Sequence, residues 1–193
     1  MQASQDFPGT EFLRTRRLVL RGLRMTDIPA LTELNQDPEV ARWLVEPCPT
    51  DYLGVAKIVF HANRDYLLRP GLGVWHTSDR SGRFVGVFAL APIEGSDEVE
   101  LGTRLLREVW GRLYSVEGAR ALCDHAFSNV GLPYLVGLCH PRNTAVPAIL
   151  RRLGFEVDGE TLHFGNPALR HVLRYDAWLA QRRQHDIIQA SEG

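Results

Sequence analysis

Residues 99 to 117 of the chain read VELGTRLLREVWGRLYSVE, and their reading decides the fold. Val99, Leu101, Thr103 and Leu105 alternate with Glu100, Gly102 and Arg104, the two-residue period of a strand, so Glu100 points away from the face that carries Val99 and Leu101. From Val116 the apolar residues Ala119, Leu122, Cys123, Ala126, Phe127 and Val130 recur at helical spacing until Gly131 ends the run. Between strand and helix lies a turn, Arg107 to Ser115, with Gly111 inside it and Arg112 beside it. Such a junction collects unpaired backbone N–H groups and the positive end of a helix dipole, which suits a pyrophosphate. The junction alone does not define a ligand, because most strand-to-helix turns bind nothing.

Downstream, Tyr134 to Cys139 is a short apolar strand, of the kind buried on both faces in a parallel pair joined by the preceding helix. Asn143 or Thr144 caps a helix through Ile149, Leu150 and Leu153, stopped by Gly154, and Phe155–Phe164 and Leu169–Trp178 read as a closing antiparallel pair. Upstream, Val74 to Thr77, a turn at Asp79 to Gly82, and Phe84 to Leu90 form a hairpin. Before it, Tyr52, Val55, Val59, Ala62 and Tyr66 mark a helix, and a shorter one near Pro38 carries Val40, Trp43 and Leu44. Leu18 to Leu23 opens the structure as a strand, with Thr26 capping the helix of Ile28, Leu31 and Leu34. Residues 1–13 and 181–193 read as loose ends of a single domain spanning 1–193.

Composition narrows the function classes. The chain has 193 residues, 45% of them hydrophobic, with 22 Lys+Arg against 23 Asp+Glu, so it lacks the basic excess that phosphate-backbone binding needs. Arg14, Arg16, Arg17, Arg21 and Arg24 make a local basic run that reads as the wet face of an edge strand. Cys48, Cys123 and Cys139 are odd in number and lack metal-ligand spacing, so no disulfide framework and no metal site is expected. No run approaches a membrane span, and a cytoplasmic protein without nucleic-acid or membrane partners is the expectation. Cys139 and His140 face opposite ways on a strand and do not form a nucleophile and base.

Several segments now combine in order: Arg17-Leu18-Val19-Leu20-Arg21-Gly22-Leu23 with Thr26-Asp27, Phe84-Val85-Gly86, Glu100-Leu101-Gly102, Trp110-Gly111-Arg112, Glu117, and the Asn143 helix ending in Leu153-Gly154-Phe155. Together they resemble the GCN5-related N-acetyltransferase (GNAT) superfamily, in its ribosomal-protein (RimJ/RimL-like) branch, over roughly residues 14 to 178. The resemblance implies a mixed α/β single domain. Its central sheet is mostly antiparallel, flanked by helices, and splayed between the fourth and fifth strands to admit acetyl-CoA.

It further implies an acetyl-CoA-dependent transfer to a primary amine, either a protein N-terminus or a small molecule, by direct attack; a homodimer is the branch's usual habit, and the sequence leaves this chain's oligomeric state open. The family's Gln/Arg-x-x-Gly-x-Gly/Ala signature falls on Glu108 to Leu113, where Gly111 fits and Leu113 replaces a small residue. Leu113 either crowds the diphosphate or turns into the core while its N–H still donates. By this match Leu105 and Arg107 hold the pantetheine arm, Gly111, Arg112, Leu113, Tyr114 and Ser115 the diphosphate, and Asn143 the thiol end, a role compatible with its other reading as a helix cap. Glu100 is the candidate base, or else a carboxylate held by Arg104. The acid often found in the family has no equivalent, since Leu150 and Val146 stand at the usual donor positions. The alternative reading is a catalytically silent relative that binds acyl-CoA or a protein partner.

Overall fold

The alternating segments become strands β1 (Glu11–Arg14), β2 (Leu18–Gly22), β3 (Gly73–Asp79), β4 (Phe84–Pro92), β5 (Val99–Leu105), β6 (Tyr134–Cys139), β7 (Glu156–His163) and β8 (Asn166–Arg174). A computed structural model, which describes residues 8–46 and 48–191 with side chains to Arg183, joins them in one sheet of order β1-β2-β3-β4-β5-β6-β8-β7. Every neighbouring pair is antiparallel except β5 with β6, which is parallel. The helices are α1 (Ile28–Gln36), α2 (Pro38–Ala41), α3 (Tyr52–Leu68), α4 (Tyr114–His125), α5 (Ala145–Arg152) and α6 (Tyr175–Ser191). A π-helical turn over Ala126–Val130 prolongs α4.

Register fixes which side chains share a face. Trp75 lies opposite Phe88, and Phe88 opposite Thr103, so the Leu101 and Leu105 side of β5 is continuous with Trp75, Phe88 and Leu90. Trp75, Phe88 and Leu90 are fully buried, each such side chain contributing about 1.5–3 kcal/mol of apolar burial. α4 packs directly on this face because residue 118 is glycine. A Cβ there would come within 2.4 Å of the Phe88 ring. The other face of β3 to β5 carries His76, Arg104 and Glu100.

The sheet parts at one seam. β4 and β5 stay in register from Gly86–Leu105 to Pro92–Val99, whereas β5 and β6 pair at Glu100–Val136 and then diverge. Below the seam the two sides are held together. Glu98, just before β5, accepts a hydrogen bond from Tyr134 Oη at 3.2 Å and pairs with Arg170 of β8, which also pairs with Asp158 of β7.

The expected mixed sheet is present, with the splay one strand later in the count because of an unforeseen first strand. Glu11–Arg14 is that strand, and Phe12 stacks flat on Trp75, with centroids 4.1 Å apart and planes within 2°. Residues 1–7 and 192–193 of the expected loose ends lie outside the described residues. From 181 the chain is helical to Ser191, and Trp178 belongs to α6, not to the last strand. Trp178 is buried and donates from Nε1 to Asp124 at 3.1 Å, an anchor that strand periodicity does not reveal. Thr26 is not the helix cap. It lies inside a 3-10 turn, Met25–Asp27, which Asp27 closes by accepting from Arg24 N at 2.8 Å and from both Arg21 terminal nitrogens, and α1 then starts without a side-chain cap.

Candidate active site

The turn between β5 and α4 is built from left-handed residues. Gly111 has φ 76° with open space where a Cβ would stand, and Leu113 has φ 61°. Val109 N donates to Leu106 O, Trp110 N to Arg107 O and Arg112 N to Val109 O, so those amides turn inward. Among the described residues, no protein acceptor takes the N–H of Gly111, Leu113, Tyr114 or Ser115. Four unpaired donors at the positive end of α4 form an anion cradle of the type that accepts phosphate oxygens. The Arg112 N–H is engaged within the turn, donating to Val109 O at 3.4 Å.

Leu113 pays a conformational cost of about 1–2 kcal/mol for a left-handed, side-chain-bearing residue. Its side chain is 52% exposed, so it does not turn into the core. Of its two expected dispositions, the one that leaves a hydrophobic side chain beside the cradle is realised. Leu105 O already accepts from Trp110 Nε1 at 3.0 Å, leaving its second lone pair for a further donor.

Glu117 fixes where the cradle stands. Its carboxylate accepts from Thr15 Oγ1 at 2.6 Å, Arg17 N at 2.7 Å and Arg17 Nε at 2.5 Å. Arg17 also donates to Arg112 O at 3.0 Å and lies over the Tyr114 ring. Burial works to raise the Glu117 pKa, but the bonds from Thr15 and Arg17 outweigh it and the pKa is lowered. Arg17 and Arg21 are thus tied to Glu117 and Asp27 rather than being simple solvated charges.

Glu100 reaches the opposite face of the splay. Among the described residues it faces His163 Nε2 at 3.8 Å, from the end of β7, and 22% of its side chain remains exposed. Burial raises its pKa to about 8, with Glu46 adding to the shift. Arg104, the expected partner, instead directs its guanidinium to Cys48 Sγ. Burial raises the Cys48 pKa against the pull of Arg104. Asn166 Nδ2 donates to Val45 O at 2.9 Å, tying the β7–β8 turn to the loop that carries Glu46 and Cys48. A cleft of about 590 Å³ opens there, lined by Arg42, Leu44, Glu46, His140, Arg142 and Asn166 among others.

Asn143 is a cap. Its Oδ1 accepts from Ala145 N at 3.0 Å and Val146 N at 3.1 Å, and the residue is 8% exposed. Leu150 is buried, its Cδ2 2.9 Å from where a Gly137 Cβ would lie, so nothing at that position donates a proton. Cys139 is buried with its pKa pushed up to about 11 by burial, unsuited to nucleophilic work. Trp75 and Tyr66 are core, while Trp43 meets His140 edge-on at 6.1 Å beside the cleft. His163 is the residue that sequence reading missed. It is 63 positions from Glu100, and only the folding back of the β7–β8 turn joins them.

Unpaired amides thus lie at the head of α4, and ionisable side chains lie on the other face of the splayed sheet. The model of the acetyltransferase (GNAT) domain family matches residues 17–156, and the chain belongs to that family, whose members generally use acetyl-CoA. The chain is 29% identical over 150 residues to the FsC-acetyl coenzyme A-N(2)-transacetylase of Aspergillus fumigatus, an alignment covering 74% of this chain and 63% of that enzyme. It therefore spans less than two thirds of that relative's length. The crystal structure of an acetyltransferase from Agrobacterium tumefaciens str. C58 is similar, with a TM-score of 0.71 and 28% identity over 84% of this chain and 93% of that one. The ribosomal L7/L12 α-N-protein acetyltransferase RimL shares the fold, with a TM-score of 0.69 and 18% identity over 86% and 94% of the two chains. Among the described residues no helix is long and apolar enough to cross a membrane.

Proposed function

We propose that the protein is an acetyl-CoA-dependent N-acetyltransferase in which a primary amine, a protein N-terminus or a small molecule, enters from the Glu100 face. The observation that carries this reading is the set of unpaired amides at Gly111, Leu113, Tyr114 and Ser115, in the turn that follows β5, the seam strand that carries Glu100. The residues fit the donor. The four N–H groups and Arg112 suit a diphosphate, and Leu105 O and Arg107 lie between it and the seam, where the pantetheine arm would run. Bound there, acetyl-CoA supplies the activated acetyl group.

The protein's own residues do the rest. Glu100 holds a proton at neutral pH, because burial raises its pKa to about 8, and becomes a competent base as pH rises through that value. A free α-amine has a pKa near ~8, so base and nucleophile come into their active forms over the same interval. Asn143 supports this end indirectly by fixing the start of α5.

The test is calorimetric titration with acetyl-CoA and CoA, followed by thiol release on an amine panel that includes N-terminal peptides and small amines. Micromolar binding with amine-dependent thiol release is expected. Absence of binding at millimolar ligand would overturn the reading, as would thiol release that no amine accelerates.

A further inference from the structure

We infer that the cleft beside the seam reads a carboxylate on the acceptor, Arg142 and His140 taking an acidic group held several bonds from the amine that is acetylated. This deepens the N-acetyltransferase reading above and rests on it. The preferred acceptor is then an anionic amine, and Arg142 is a specificity-determining residue.

Placement comes from the sheet. Glu100 and Val136 lie opposite each other on the parallel strands β5 and β6, so they share a face, and by alternation Leu138 and His140 share it too. His140 follows β6 directly, and Val136 to His140 spans about 13 Å at about 3.3 Å per residue. The cleft of about 590 Å³ opens at that far level, between His140 with Arg142 on one side and Leu44, Val45 and Glu46 on the other. Its volume falls in the range of small-ligand sites.

Charge is sorted along this line. Glu46 is the acid that acts on Glu100, so the two carboxyl groups belong to the seam end. At the far end the groups are donors. The Arg142 N–H donates to His140 Nδ1 at 3.1 Å, so Nδ1 is the ring's acceptor and the ring proton stands on Nε2. Among the described residues that Nε2 has no hydrogen-bond partner and the Arg142 guanidinium pairs with no carboxylate. Arg42 differs, because it pairs with Glu39 at 2.8 Å and lies over the Trp43 ring. Arg104 is directed to Cys48. Arg142 is thus, among the described residues, the cation of the cleft left without an anion.

A guanidinium beside an imidazole N–H suits a carboxylate. The guanidinium donates as a fork and the Nε2–H adds a further bond, and hydrogen bonds to an ionised acceptor are the strong ones. A carboxylate on the same carbon as the reacting amine is too near it to bridge about 13 Å of strand. The geometry therefore selects a carboxylate farther away, from an acidic residue close behind a peptide N-terminus or from a small amino acid with a distal acid.

The experiment uses matched acceptors that differ in charge alone: peptides with Glu or Gln after the N-terminal residue, and the small pair glutamate and glutamine. Wild type, Arg142→Gln, Arg142→Lys and Arg142→Glu are confirmed as folded by circular dichroism and assayed for kcat and KM with acetyl-CoA. In wild type kcat/KM is expected to favour the acidic member of at least one pair by at least about tenfold, through KM rather than kcat. That preference should fall below about twofold in Arg142→Gln, survive in part in Arg142→Lys, and turn toward a Lys-bearing peptide in Arg142→Glu. KM for acetyl-CoA should hold within about twofold throughout, and a larger change would place Arg142 on the cofactor and overturn the inference. Equal use of acidic and neutral members by wild type would overturn it too, while leaving the N-acetyltransferase reading in place. A preference confined to the peptides identifies an acidic N-terminus as the source of the carboxylate, and one confined to glutamate a small amino acid.

A readout without turnover separates the two failures. Calorimetric titration of the CoA complex should show the acidic member binding at least about fivefold more tightly than the neutral one, a difference lost in Arg142→Gln. That pattern with no thiol release on any amine would uphold the carboxylate site and count against the transferase. Equal binding of the two members, or none by either, would overturn the carboxylate site.

Discussion

Replacing Glu117 with Gln tests whether the anion cradle is held from outside α4. The carboxylate takes three donors, Thr15 Oγ1, Arg17 N and Arg17 Nε, with 18% of its side chain exposed and 34% of Arg17's. Hydrogen bonds to a charged group each contribute about 1.5–3 kcal/mol. Gln with its oxygen at the place of Oε1 keeps the Thr15 and Arg17 N bonds in uncharged form, and its NH₂ meets Arg17 Nε as a donor–donor clash. With partial solvent screening, a loss of about 3 kcal/mol is expected. In a chain of this size that lowers Tm by about 6–12 °C.

The Glu117 pKa is depressed in the folded protein, so its stabilisation is present above the ordinary carboxylate range and lost as pH falls through the folded value. Thermal melts at pH 7 should therefore separate wild type and variant, and the gap should close in acid. Because Arg17 also bonds Arg112 O within the cradle, acetyl-CoA affinity at pH 7 should weaken by at least about threefold. Melting points equal within about 1 °C at pH 7 would refute the reasoning. So would a gap that persists undiminished in acid.

Three further outcomes are expected. Leu113→Gly relieves a left-handed side chain at about 1–2 kcal/mol but adds chain entropy of about 0.5–1 kcal/mol, so stability should change by no more than about 1 kcal/mol. Acetyl-CoA should bind more tightly by calorimetry, and equal or weaker binding would show that the exposed leucine does not crowd the cradle. For Glu100→Gln, the raised pKa means that wild-type stability falls from the ordinary carboxylate range up to about 8, whereas the variant is insensitive there. Denaturant titrations should show the variant gaining on wild type by about 2 kcal/mol across that window, the full linkage value being reduced by solvent access, and parallel curves would contradict the raised pKa. Asn143→Ala should cost about 1 kcal/mol as a lost cap with little change in KM for acetyl-CoA, and a large KM effect would give Asn143 a direct contact.

What the linear sequence reveals and what it conceals divide along physical lines. β3, β4, β5 and β6 are legible because burial on one or both faces writes a strong local pattern, and Gly131 and Gly154 mark helix ends in the left-handed conformation. β1 is not legible, because four residues carry little periodicity and Phe12 gains its meaning from Trp75, 63 positions away. Trp178 misleads in the opposite direction. Its apolar ring extends a strand pattern, yet its indole N–H finds Asp124 only across the packed helices. In the site, Glu100 and the Gly111 turn are readable from alternation and from a strand-to-helix junction. The dihedral of Leu113 is not readable from its side chain, and the diversion of Arg104 to Cys48 depends on how a loop folds over the sheet.

The seam also gives the sheet a mechanical character. With β5 and β6 in register at a single pair, Glu100–Val136, the strands β1 to β5 and the trio β6, β8 and β7 are joined by that one rung, by the strap of Glu98, Arg170 and Tyr134 below it, and by a common apolar core. Backbone amides deep in the shared core are expected to exchange only when that core opens, and those along the seam when the strap opens. A ligand that spans the gap adds a further tie and couples the two openings, so amide protection on both sides rises together when it binds.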